Sequence, residues 1–203
     1  MTVDGHQMDP GRTRNELKFG EYLELIDEDN RRAIENFLQT DDHAERLATR
    51  PGSRESHHAW RSGYQEHVRQ TMEIAKTLYD YYMQTGAYET LSEGERFSLS
   101  DALTVMFLHD IEKPFLYGFD EEENIINERK MTKPERKSFR EEVIAEFGFK
   151  VNETMANALK YVEGVPDEDY VPGERADQSL AALCHAADTI SARMMYNFRG
   201  PDA

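Results

Sequence analysis

Apolar residues recur at three- and four-residue steps along most of the chain, and a convincing period of two is missing, so helices are expected nearly throughout. Between residues 62 and 85, Tyr64, Val68, Met72, Ala75, Leu78, Tyr79 and Tyr82 mark one face of a long helix, closed by Gly86. Ser98 or Ser100 is a good N-cap for a second helix, which carries Leu103, Met106 and Phe107 toward His109 and is expected to end at Pro114. Thr132 followed by Pro134 opens a third, whose stripe of Phe139, Val143, Ile144 and Phe147 stops at Gly148. Asn152 caps a fourth, with Met155, Leu159 and Val162 inward and Gly164 at its end. A last helix is expected over about residues 176–196, with Leu180, Leu183, Cys184, Ala187, Ile190 and Met194 on one side.

No Asn-Gly or Asp-Gly turn separates two apolar runs, so no hairpin is expected. Residues 117–131, with the acids Asp120 to Glu123, and residues 164–175 read as polar connectors. Residues 1–13 read as a flexible N-terminus, 14–56 as a helical arm (about 14–40) and loop, and 57–203 as one catalytic domain. The expected fold class is all-α: about five core helices plus an N-terminal helical arm.

Composition narrows the function. A chain of 203 residues suffices for one domain with a real core, and its single cysteine supports neither a disulfide framework nor a cysteine-based zinc site. With 40 Asp+Glu against 24 Lys+Arg, the net charge of −16 argues against a protein that tracks a long nucleic acid backbone. A small phosphorylated ligand is not excluded, since a metal and a few local cations can hold it. The apolar runs are too short to cross a membrane, and the first thirty residues lack a secretory h-region, which points to the cytoplasm.

The chemistry gathers around a few residues. His109-Asp110 ends an apolar helix, where an ionised carboxylate is costly unless paired or metal-bound. His67 lies inside the first long helix, and Asp188 falls on the inward stripe of the last, four residues after Cys184. Two histidines and two aspartates on three helices make a mixed nitrogen and oxygen set suited to a divalent transition metal. Of the neighbouring histidines, His57 reads as solvent-facing, and His185 as close to Asp188 without ligating.

The order His67 … His109-Asp110 … Asp188 resembles that of the HD-domain metal-dependent phosphohydrolases. Phe107-Leu108-His109-Asp110-Ile111-Glu112-Lys113 is similar to the family's LHDIGK stretch, with Glu112 in place of a small residue. His58 through His67 resembles an HxxxGGLxEH run, with Ser62 standing at its first glycine, and Ala187-Asp188 resembles the family's final ligand. The resemblance covers roughly residues 57–196. It implies an HD-domain helical bundle with His67, His109, Asp110 and Asp188 as metal ligands, and hydrolysis of a phosphate ester of a nucleotide or related metabolite through metal-activated water. Asp110 would also orient that water. Lys113, four residues after His109 on the same helical face, would meet a phosphate oxygen. His58, Trp60 and Arg61 become candidates for substrate contact, His58 also for catalysis, and Glu112 a candidate general acid. Two-metal members carry two more histidines between the doublet and the last aspartate; here His185 alone lies in that interval, so one divalent ion (Mn, Co, Zn, Fe or Mg) is expected. Two alternatives stay open: a phosphodiesterase or exonuclease on short oligonucleotides, and a nucleotide-sensing module without turnover. The N-terminal arm offers a surface for a homodimer or higher oligomer.

Overall fold

The computed structural model describes residues 18–199. The expected flexible residues 1–13 and the start of the arm lie outside them. In chain order the elements are α1 (Phe19–Leu23), α2 (Glu28–Leu38), α3 (His43–Thr49), α4 (Gly63–Gln84), α5 (Leu99–Leu108) and α6 (Lys113–Leu116). There follow a two-stranded ribbon of β1 (Tyr117–Phe119) and β2 (Ile125–Asn127), then α7 (Lys133–Phe147), α8 (Glu153–Tyr161) and α9 (Ser179–Met194).

Local chemistry sets the helix ends. Ser98 Oγ accepts from the Asp101 N–H while the Asp101 carboxylate accepts from the Ser98 N–H, and Thr132 and Glu135 make the same reciprocal box before α7. Asn152 caps α8 by accepting from the Met155 N–H, and Gly148 ends α7 at φ 75°, a conformation that glycine adopts without strain. Every residue of α5 from Ala102 to Leu108 is buried, as expected of a helix that is apolar all round. It packs against α4, α8 and α9, and α4 and α9 also pack on each other. Among the described residues, no helix is long and apolar enough to cross a membrane.

Four features differ from expectation. The helix of the doublet ends at Leu108, and Pro114 sits in the first turn of α6 instead of closing α5. Proline has no N–H for the carbonyl of residue 110 and would collide with it, so the chain breaks beforehand and restarts with Pro114 inside a new first turn. Residues 117–127, expected as a connector, form an antiparallel hairpin that pairs Tyr117 with Asn127 and Phe119 with Ile125. Its turn uses Asp120, whose Oδ1 accepts from the N–H groups of Glu122 and Asn124 while Glu123 takes a φ of 63°. Within the expected loop 41–56 lies α3, and Leu47 from it joins Tyr22, Ile26, Ile34 and Phe37 in the same core as α4 and α5. Met194, expected inward, is 80% exposed because α9 ends there, past its last contact with the core.

Candidate metal centre

The structure brings His67, His109, Asp110 and Asp188 together at the junction of α4, α5 and α9. His67 Nε2 lies 3.2 Å from His109 Nε2, 3.3 Å from Asp110 Oδ2 and 3.3 Å from Asp188 Oδ1. His109 Nε2 lies 3.2 Å from Asp110 Oδ2 and 3.8 Å from Asp188 Oδ1. For bonds of about 2.1 Å, two ligands of one ion are separated by about 3.0 Å at a right angle and about 3.4 Å at the tetrahedral angle. The four residues thus form a group able to hold a metal ion.

The tautomers follow from a chain of hydrogen bonds behind the ligands. The Gln70 amide nitrogen donates to Glu66 Oε1 and to the Phe198 carbonyl, two groups that only accept. Gln70 Oε1 therefore faces Ser191 Oγ and His58 Nε2, each at 3.0 Å, and both must donate to it. Ser191, with its one proton used on Gln70, accepts from His67 Nδ1 at 3.0 Å. His67 Nε2 is left with a lone pair aimed at the cluster. His109 reaches the same state more directly, because its Nδ1 donates to the Met106 carbonyl at 2.7 Å. Imidazoles fixed in this way by a second layer of partners are set up as ligands.

Two imidazole lone pairs and two carboxylates facing one another favour a positive charge between them, and the acid–base behaviour agrees. Burial by itself would depress His109, but the charge and hydrogen bond of Asp110 outweigh it and raise its pKa to about 9. For Asp110 burial works upward, yet the Lys113 ammonium 2.5 Å away and the imidazole of His109 hold it well below the usual carboxylate range. Asp188 is shifted downward too, against its burial, by the neighbouring imidazoles of His67 and His109. Its side chain keeps 20% exposure, more than those of the other three, so the cluster opens to solvent on that side.

The other sequence candidates are distributed unevenly. Lys113 reaches Asp110, but from the first turn of α6 after the break, not along a continuous helical face with His109. His58 is fully buried with both ring nitrogens engaged, Nε2 by Gln70 and Nδ1 by His57 at 3.0 Å; it supports the ligands and has no free atom for a substrate. Trp60 packs against the His58 ring, centroids 5.0 Å apart, and is covered by the Arg199 guanidinium. Arg61 is turned away to Glu123 at 2.6 Å and the Phe119 ring of the hairpin, so its charge is already matched. Glu112 is buried in the turn after the doublet and lines a cavity beneath α7 that His109 also lines but His67, Asp110 and Asp188 do not. Burial, then the charge of Asp110, raises its carboxyl to about 7. His185 is exposed, with Nδ1 2.8 Å from the Val162 carbonyl, outside the cluster.

Three residues escaped the sequence reading. Gln70 and Ser191 each lie three residues beyond a ligand, on the same face of α4 and α9, and a search for polar residues one turn past His67 and Asp188 would have found them. His57 is half-buried instead of solvent-facing. Its ring centroid is 4.9 Å from that of His67, and its Nε2 has no hydrogen bond among the described residues. Burial, then repulsion by His67, lowers its pKa to about 4, so it is neutral at pH 7. The backbone explains the arrangement. His58 takes a left-handed φ of 57°, and its carbonyl accepts from the Gly52 N–H at 2.9 Å while passing so close to Gly63 that a Cβ there would collide with it.

No protein-family model matches the chain, and no curated protein or solved structure matches it either.

Proposed function

We propose that the protein is a metal-dependent phosphohydrolase of the HD type, acting on a phosphate ester of a nucleotide or a related small phosphorylated metabolite. The observation that carries this reading is the convergence of four tautomer-fixed or ionised donors beside a lysine ammonium. A divalent ion held by His67, His109, Asp110 and Asp188 would polarise a phosphoryl oxygen and lower the pKa of an adjacent water.

The side chains divide the remaining work. Lys113 keeps Asp110 ionised at neutral pH and offers its ammonium to a non-bridging phosphate oxygen. Asp110 orients the attacking water by accepting its hydrogen bond. Asp188 marks the solvent side, from which the substrate enters. His57, neutral and beside His67, offers Nε2 as an acceptor for a water or a substrate hydroxyl.

The test is phosphate release by the purified protein, stripped with chelator and reloaded with Mn, Co, Mg, Zn or Fe. The substrates are nucleoside mono-, di- and triphosphates and bis-p-nitrophenyl phosphate. Turnover with at least one metal, abolished in His67→Ala and Asp110→Ala, is the expected result. Silence across the panel by a protein that still binds the metal would overturn the hydrolase reading and favour a sensing module.

A further inference from the structure

The chain is strongly acidic, yet residues 129–140 hold six of its 24 Lys+Arg and one of its 40 Asp+Glu. Four of these cations, Lys133, Arg136, Lys137 and Arg140, occupy positions i, i+3, i+4 and i+7 of α7 and therefore share one face. That face does not look into open solvent alone. All four line a cavity of about 140 Å³ between α7 and the end of α8, to which Lys160 adds a fifth cation. Two acids, Glu112 and Glu163, also line it.

Ion pairing inside the protein accounts for little of this charge. Lys160 is matched by Asp169 at 2.7 Å, and Lys137 has only a long, exposed contact with Glu141 at 3.7 Å. Among the described residues, Lys133, Arg136 and Arg140 have no carboxylate within ion-pair distance. Arg140 instead donates to the His109 carbonyl at 2.9 Å, which fixes its guanidinium on the cavity wall. Arg136 Nε is buried and has no hydrogen-bond partner among the described residues. A buried guanidinium donor without an acceptor, beside further unpaired cations, points to an acceptor that comes from outside the chain.

The lining limits what that acceptor can be. Five cations and a buried guanidinium N–H, with Leu159 and Val162 as the apolar part of the lining, suit a tetrahedral oxyanion. We infer that the cleft between α7 and α8 binds a phosphoryl group, through Arg136, Lys133 and Arg140, at a site that adjoins the His67–Asp188 cluster only through His109, which belongs to both. The group is either free inorganic phosphate or pyrophosphate, or the phosphate end of a larger ligand whose remainder stays outside.

The experiment is calorimetric titration of the full chain, treated with chelator so that no metal takes part, at low ionic strength. Inorganic phosphate, pyrophosphate and adenosine triphosphate are the three ligands. Saturable one-to-one binding is expected, weakened about tenfold by Arg136→Gln and by Lys133→Glu, since each removes a charge-assisted contact. The Lys133→Glu protein keeps its fold, because an acid in the first turn suits a helix N-terminus. Lys76→Glu on α4, with the same change of charge, leaves binding unchanged, as does His67→Ala. Pyrophosphate binding as tightly as the nucleotide identifies an inorganic ligand; a gain with the nucleotide identifies the tip of a larger one. The inference is overturned if no saturable binding appears at millimolar phosphate, or if Lys76→Glu weakens it as much as Lys133→Glu. It is overturned as well if His67→Ala abolishes binding while Arg136→Gln does not. None of these readouts depends on hydrolysis, so failure here leaves the catalytic proposal standing, and the reverse.

Discussion

At the His67–His109–Asp110–Asp188 cluster the charges are buried and their supporting atoms are tied to protein, whereas the α7 cations are half or fully exposed and mostly unpaired. The first arrangement stands or falls as a unit. Burying a carboxylate costs several kcal/mol, so Asp110 is tolerated only with Lys113 and the two imidazoles in place, and these in turn need Asp110. In the second, the cations are solvated apart from the buried Arg136 Nε, and the loss of one leaves the others much as they were. Mutual dependence suits a resident ion, and independence suits a ligand that comes and goes.

The largest expected effect tests that contrast directly. Asp110→Asn strands Lys113 and His109, and lowers the unfolding free energy of the chelator-treated protein by about 3–5 kcal/mol in urea titrations. Arg136→Gln changes it by less than about 0.5 kcal/mol. A loss below about 1 kcal/mol for Asp110→Asn would show that the cluster is not interdependent. Next in size is Gln70→Leu, which removes the group that fixes the His67 tautomer without touching a ligand. Its Mn affinity by calorimetry should fall about 10- to 100-fold, and an unchanged affinity would reduce Gln70 to packing.

Protons give the third measure. Because the pKa of His109 is raised to about 9, its ring is protonated at pH 7.5 in the chelator-treated protein, and a metal must displace that proton. Adding Mn in weak buffer at pH 7.5 should release about one proton from this ring, and the release should vanish as the pH passes about 9. The same raised value means that the His109 proton stabilises the metal-free fold fully below its ordinary pKa of about 6.5. That contribution is lost as the pH rises through about 9. The depressed Asp110 has the opposite sign: its contribution is present above the ordinary carboxylate pKa and is lost as the pH falls through its lowered value.

The smallest effect concerns Ser62, which stands at φ 66° and ψ 7°, where a side chain is strained. Ser62→Gly should raise stability by about 0.5–1 kcal/mol, strain relief exceeding the added freedom of the unfolded chain, with no change in metal affinity.

Much of this was legible in the sequence, for identifiable reasons. The stripes of α4 and α9 and the boxes at Ser98 and Thr132 are local signals, and the structure follows them except in the last turns of α4 and α9, where Tyr82 and Met194 are exposed. The inward position of Asp188 followed from the stripe of the last helix, and the burial of Asp110 from the apolar run before it. What could not be read depends on backbone angles or on distant partners. The hairpin has three-residue strands, too short to show alternation, and its turn puts a glutamate at positive φ instead of glycine. Which of two adjacent histidines reaches the cluster is decided by the left-handed turn at His58. Arg61 was legible as a cation, but its pairing with Glu123 joins residues 62 positions apart across an unforeseen hairpin.

The Nδ1–H of His109 occupies the Met106 carbonyl in the last turn of α5, so one ring is at once helix cap and candidate metal ligand. Whatever holds Nε2 also restrains that turn against fraying. Local opening and metal occupancy are therefore linked: the ion must be released, or its ligand set broken, before the amides of residues 108–111 can exchange with solvent. Hydrogen–deuterium exchange there should slow on Mn binding more than at the N-terminal turn of the same helix, which its Ser98 box closes independently. The end of one buried helix would then serve as an internal gauge of how full the site is.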